Sequence, residues 1–240
     1  MKPSAVHHLA IATADMKAQI RFFTDVLGTE LVALYWMHGV EGAWHALLKL
    51  GDHCSIALVQ MRDMPSVAPI HGVTHAGNPR LPSAPGTMQH LALAVGDETE
   101  LLAMRDRIRS RGIVAIGPLD HGLCKSIYFA GLEGLSLEIA SSCAPIDPRA
   151  WIDPEVVELA GISPRELVEF VAPAPYEGEG GSVAQARFDP AMPHQRFPEA
   201  EYQQLLAMPD EMVTAMLSEP NPPVELTMPM SQRPQAPAMR

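Results

Sequence analysis

Two stretches of the chain alternate apolar and polar positions with a period of two and then switch to a helical period. "HLAIATADMKAQIRFFTDVLG" runs from His8 to Gly28, and "HLALAVGDETELLAMRDRIRSRG" from His90 to Gly112. Each reads as a strand, an aspartate, an amphipathic helix and a closing glycine. Met16, Ile20, Phe23 and Leu27 fall on one stripe of the first helix; Leu101, Met104 and Ile108 do so in the second. Asp15 and Asp97 suit N-caps, Glu100 completes a capping-box-like pattern, and Gly28 and Gly112 suit the C′ position. Three more strands are expected after each helix: "ELVALYW", "AWHALLKL" and "CSIALVQ" in the first copy, "IVAIG", "SIYFA" and "LSLEIA" in the second. The order β-α-β-β-β therefore occurs twice, over about 5–62 and 87–141. The expected fold is α+β: two such modules whose mixed sheets form a cup, followed by a proline-rich, partly helical extension.

The period-two geometry separates the adjacent histidines of "SAVHHLAIAT". His7, Leu9 and Ile11 share one strand face, and His8, Ala10 and Ala12 the other. In the second copy Leu91, Leu93 and Val95 face one way, and His90, Ala92 and Ala94 the other. The bulky faces are expected under the helices, which puts His7 on a packing face. The faces with one histidine followed by alanines leave space above the sheet. In "LSLEIA", Leu137 and Ile139 match the packing face, so Ser136, Glu138 and Ala140 face the cup. A carboxylate there is unfavourable unless it is paired or holds a metal. His8, His90 and Glu138 together make a two-histidine, one-carboxylate facial triad, which holds Fe(II) or a similar divalent ion and leaves positions open. Ala57 aligns opposite Glu138, so the first copy offers no fourth protein ligand. His45, His53 and His71 read as ordinary strand or surface histidines, and Cys124 as a small packed residue.

Composition changes after residue 140, where sixteen of the 23 prolines lie. "DPEVVELAG", "SPRELVEFV", "FPEAEYQQLLAM" and "PDEMVTAMLSE" each begin with an acidic, serine or proline start signal. None is long enough to stand alone as a helix. One domain over 1–141 is thus expected, with an extension over 142–240 that packs on it or on a partner subunit. From about Pro220 the chain is expected to be extended or disordered. A hydrophobic fraction of 47% and a charged fraction of 19% describe a soluble globular protein. No apolar run approaches the roughly 18–20 residues of a membrane span, and "MKPSAVHHLAIATADMK" lacks the pattern of a secretory signal. Cys54, Cys124 and Cys143 are widely spaced, which suits a reducing cytoplasm and gives neither a disulfide framework nor a thiolate zinc site. A net charge of -11 argues against a nucleic-acid or anionic-membrane partner.

With these residues in place, residues 5–141 resemble the vicinal oxygen chelate superfamily, which includes glyoxalase I, fosfomycin-resistance thiol transferases, methylmalonyl-CoA epimerase and the type I extradiol ring-cleaving dioxygenases. Glyoxalase I and the epimerase normally carry Glu or Gln where Ala57 stands. "DHGLCKSIYFAGLEGLSLE" is similar to the extradiol pattern, supplying His121, Ile127, Tyr128, Gly134 and Glu138 at its spacings. It departs from that pattern at Leu119 and at Gly131–Leu132, where an Asp-Pro turn is usual. The resemblance implies a cytoplasmic, homodimeric enzyme with Fe(II), or with Mn(II) or another divalent metal, acting on an aromatic substrate with O2. It also implies catalytic roles for Tyr128, His121 and His75, the last fifteen residues before His90 in a linker. Strand parity puts Tyr128 on the Glu138 side, within reach of a substrate oxygen, and histidine exchanges protons near neutrality. Two other classes share the fold: a non-oxidative metal enzyme such as a thiol transferase, lyase or isomerase, and a binding protein without turnover. Fosfomycin-type transferases need a cationic cluster, and near the expected cup only Lys125 offers a cation.

Overall fold

The structure, a computed structural model, describes residues 1–225. The first module comprises β1 (His8–Ala12), α1 (Met16–Val26), β2 (Glu30–Trp36), β3 (Trp44–Gly51) and β4 (Cys54–Gln60). The second comprises β5 (Leu91–Ala94), α2 (Glu98–Ser110), β6 (Ala115–Asp120), β7 (Lys125–Ala130) and β8 (Ser136–Ser141). Each forms a four-stranded mixed sheet, ordered β1-β4-β3-β2 and β5-β8-β7-β6. The first strand of each module runs parallel to its last, and the remaining ladders described are antiparallel. A parallel neighbour requires a crossover, which the helix after the first strand begins. The expected pair of βαβββ modules is present.

Local chemistry explains the elements. Asp15 accepts a hydrogen bond from the Ala18 amide (3.0 Å) and Asp97 one from the Glu100 amide (2.9 Å), as N-caps do. The Glu100 carboxylate reaches one residue further back than a capping box, to the Gly96 amide at 2.7 Å. Gly28 and Gly112 take φ values of +78° and +77°, which closes both helices. The strand faces alternate as expected. Ile11, Leu48, Ile56 and Leu58 of one sheet and Leu93, Ile127, Leu137 and Ile139 of the other are buried in a single cluster with Phe23, Leu101 and Ile108 of the helices. One core therefore joins the two modules through their helix sides. His7 departs from the expectation. It precedes β1 and is exposed, its Nδ1 lying 2.9 Å from His8 Nδ1, so strand alternation does not carry it to the packing face.

Module 2 also grips both ends of α1. Arg107 of α2 donates to the carbonyls of Val26 (3.0 Å), Asp25 (2.9 Å) and Thr24 (3.4 Å) in the last turn, where helix carbonyls run short of backbone partners. At the other end the Glu133 carboxylate accepts from the Ala14 amide (2.8 Å) and from the buried Gln19 side chain (2.9 Å). Glu133 holds a left-handed φ of +53° in the β7–β8 turn to do so.

The sixth strand starts two residues later than "IVAIG" and continues through the cis Gly117–Pro118 bond to Asp120. Its register with β7 shifts between Ile116 and Leu119, because Pro118 has no amide hydrogen for the ladder. Beyond β8 come α3 (Pro148–Trp151), α4 (Pro154–Leu159), α5 (Pro164–Val171), α6 (Glu199–Ala207) and α7 (Asp210–Leu217). The last four match the four expected helical pieces; α3 is an additional turn.

The chain divides into two compact units. The first holds both modules and continues to Gly178, without the segment Tyr35–Ala43; the second consists of Tyr35–Ala43 and the chain from Glu179. Inside the second unit, Phe188, His194, Phe197 and Tyr202 form a cluster of rings, with Phe197 and Tyr202 stacked at 5.4 Å. The extended end expected from about Pro220 lies, from residue 226 on, outside the described residues. No helix among the described residues is long and apolar enough to cross a membrane.

Candidate functional site

The outward face of the second sheet gathers the polar groups. On β8, Glu138 stands directly between Ala92 of β5 and Tyr128 of β7. Ala92, Ala94 and Ala140 flank it, so small side chains leave room above the carboxylate. Glu138 is only 5% exposed, and its Oε2 lies 3.0 Å from Nε2 of His90. His90 is oriented from its other nitrogen. Nδ1 is hydrogen-bonded to the side-chain oxygen of Gln89, an atom that can only accept, so Nδ1 carries the proton. Gln89 is fixed in turn through its amide nitrogen, which donates to the carbonyls of Leu81 (3.2 Å) and Asn78 (3.3 Å) in the linker.

Tyr128 and His121 form the second pair. The Tyr128 hydroxyl lies 3.0 Å from His121 Nε2, and its ring is 6.4 Å from that of His90. Burial and the neighbouring Glu138 carboxylate push the phenol above its ordinary value of 10.0, so it remains a proton donor at neutral pH. His121 reaches Tyr128 from the turn between β6 and β7, where its amide donates to the Cys124 carbonyl at 2.9 Å.

The other expected site residues lie elsewhere. His8 is exposed on the corresponding face of the first sheet, next to His7. There Ala10 pairs with Ala57 as Ala92 pairs with Glu138, so the first module carries no carboxylate at the equivalent place. His45 shares that face; burial, and then charge on His8, lower its pKa from 6.5. His75 packs in the linker, with Nδ1 2.8 Å from the Thr74 hydroxyl and its ring 3.4 Å from where a Cβ on Gly134 would stand. Among the described residues of one chain, no three His, Cys, Asp or Glu side chains gather around one point that could hold a metal. His90, Glu138, Tyr128 and His121 come together; His8 and His75 do not join them.

The His90–Glu138 pair itself fits a divalent ion. Its Nε2 and Oε2 lie 3.0 Å apart, and imidazole and carboxylate are both donors that a divalent ion takes. The pair brings together two of the three residues expected for the triad. Lys125, by contrast, is not available to an anionic substrate. It alternates with Ser126 and Tyr128 along β7, away from the site face, and forms an ion pair with Glu98 at 2.6 Å.

Residues 5–139 match the model of the Glyoxalase/Bleomycin resistance protein/Dioxygenase superfamily. The chain belongs to this superfamily. No curated protein matches its sequence. Among solved structures, a glyoxylase/bleomycin resistance protein/dioxygenase domain from Frankia sp. EAN1pec is similar at 16% identity, with 59% of this chain and 99% of that one covered and a TM-score of 0.46. A glyoxalase family protein from Enterococcus faecalis is similar at 24% identity, covering 57% and 96%, with a TM-score of 0.42. TnmS3, an antibiotic binding protein from Streptomyces sp. CB03234, is similar at 19% identity, covering 59% and 98%, also with a TM-score of 0.42. Superfamily membership accounts for the two modules and accords with the divalent metals its members commonly bind. The extension after residue 139 lies beyond the matched segment.

Proposed function

We propose that the chain is an Fe(II)-dependent dioxygenase of the extradiol type, opening a catechol-like aromatic ring with O2, and that it works as a homodimer. The observation that carries this reading is the placement of the Tyr128–His121 pair beside the His90–Glu138 pair on one sheet face. His90 and Glu138 would hold the metal, with His8 of a second copy as third ligand. Bound there, ferrous iron supplies the redox chemistry that lets a catechol react with O2.

The chain's own groups do the rest. A proton given off by the substrate can pass through the Tyr128 hydroxyl, which takes it up as its own proton moves to His121 Nε2, 3.0 Å away. The flanking alanines leave a flat floor for an aromatic ring. Pairing of Lys125 with Glu98 speaks against a thiol transferase, which would need free cations for an anionic substrate.

Two features of the fold favour a second copy. The faces bearing His8 and His90 are turned away from the common core, so one chain leaves both open. Leu31, Val32 and Leu34 of β2 are 42%, 54% and 48% exposed, as apolar side chains at a subunit contact are before association.

The test is to reconstitute the protein anaerobically with Fe(II), add a panel of catechols and hydroquinones, and follow O2 uptake together with ring-fission absorbance. Equimolar O2 uptake and ring opening with at least one catechol is the expected result. Absence of O2 uptake across the panel, with turnover of a thiol or thioester by the Mn(II) or Ni(II) form, would overturn the reading. Gln89→Ala should weaken metal affinity by about 10- to 100-fold, because it frees His90 to rotate and to change tautomer. Competition against a chelating dye measures this, and an unchanged circular dichroism spectrum separates it from unfolding.

A further inference from the structure

The indole of Trp151 lies against the turn that carries His121. A Cβ built on Gly122 would stand 2.8 Å from Cη2 and 3.0 Å from Cζ2 of Trp151, closer than packed atoms approach. Only glycine admits this contact, and the turn also holds Gly122 at φ +80°. The perch under the indole is built as well. Asp147 caps α3 by accepting from the Arg149 amide at 3.0 Å and pairs with the Arg149 guanidinium at 2.6 Å. Its carbonyl accepts from the Trp151 amide at 3.2 Å. Despite this anchoring, Trp151 remains 47% exposed. A large apolar ring is thus fixed by one edge beside His121, whose Nε2 is bonded to Tyr128, and its remaining surface is uncovered.

We infer that Trp151 is a substrate-binding residue: its open indole surface is a stacking wall that orients an aromatic ring toward Tyr128 and His121. The wall comes from the extension, beyond the segment matched to the superfamily. An indole fixed at one edge offers a flat face at little entropic cost, and aromatic rings stack on such faces. The inference rests on the reading of Tyr128 and His121 as groups that meet an aromatic substrate.

The test uses the full-length protein and 4-nitrocatechol as probe, with equilibrium dialysis for binding and steady-state kinetics on the best catechol of the panel. Trp151→Ala is expected to weaken probe binding and raise KM by roughly three- to tenfold, with a smaller effect on kcat. Trp151→Phe restores most of the affinity, because the ring remains. Gly122→Ala reproduces the loss with the indole still present, because it pushes the ring off its seat. A purely structural role would give no rescue by phenylalanine. Equal probe affinity in wild type and Trp151→Ala, or no probe binding by wild type, would overturn the inference. Weakened binding in a protein that takes up no O2 would support Trp151 and reject the dioxygenase reading; O2 uptake with a KM unmoved by Trp151→Ala would do the reverse.

Discussion

Glu138→Gln is expected to abolish turnover, by about 1,000-fold or more, while leaving the protein folded. Among the described residues of the second sheet, the carboxylate is the one anionic group on the site face, and it lies 3.0 Å from the imidazole with which it would share the metal. An amide of the same shape removes the negative charge that holds a divalent ion and keeps one oxygen for a hydrogen bond. Loss of a first ligand exceeds the about 10- to 100-fold that loss of an outer partner such as Gln89 entails. Metal content by elemental analysis should fall with activity. The unfolding midpoint of the metal-free protein should stay within a few degrees of wild type, since the amide oxygen keeps a hydrogen-bond partner for His90 and a buried ion pair adds little net stability. Retention of stoichiometric metal by Glu138→Gln would remove Glu138 from the site.

Gly117→Ala carries the largest expected loss of stability, about 3 kcal/mol or more. A Cβ there would stand 2.5 Å from the Ser126 carbonyl oxygen, 3.0 Å from the Leu119 amide nitrogen and 3.3 Å from Ile127 Cα. All three are backbone atoms, two of the adjoining β7 and one of β6 itself, and cannot swing aside. The residue also sits at φ +114°, where a side chain is strained whatever the space. Gly112→Ala is the control: its φ is +77° but nothing lies within 4 Å, so about 1 kcal/mol is expected. Urea denaturation monitored by circular dichroism compares the two. The displaced strand includes Ser126, two residues from Tyr128, so activity should fall with stability in Gly117→Ala and not in Gly112→Ala.

The contrast between these two sites shows how far periodicity alone reaches. Alternation along β8 separates Glu138 from Leu137 and Ile139, and alternation along β7 puts Tyr128 on the same side, because each pattern is local and one sheet face is apolar. The helix caps and their closing glycines are equally local. Gln89 carries no signal in the sequence, because its importance depends on the carbonyls of Asn78 and Leu81, which only the folded linker brings to it. Trp151 was hidden for the same reason: its neighbour Gly122 is far away along the chain and signals nothing until the turn is formed. His7 lies one residue before β1, where strand alternation no longer governs which way a side chain faces. Matching faces within one sequence predict a cup and leave open whether one chain closes it or a second chain supplies the opposing face. In one chain the two modules join through their helices, and His8 is left apart from His90 and Glu138.

That separation makes subunit mixing the most direct test of a metal site shared between two copies. His8→Ala and Glu138→Ala proteins are each expected to be inactive and deficient in iron. Unfolding them together in equal amounts and refolding them should give dimers in which one of two sites regains His8 from one chain and His90 with Glu138 from the other. Random pairing then restores about a quarter of wild-type iron and activity. No recovery on mixing, or stoichiometric iron in His8→Ala alone, would contradict the shared triad.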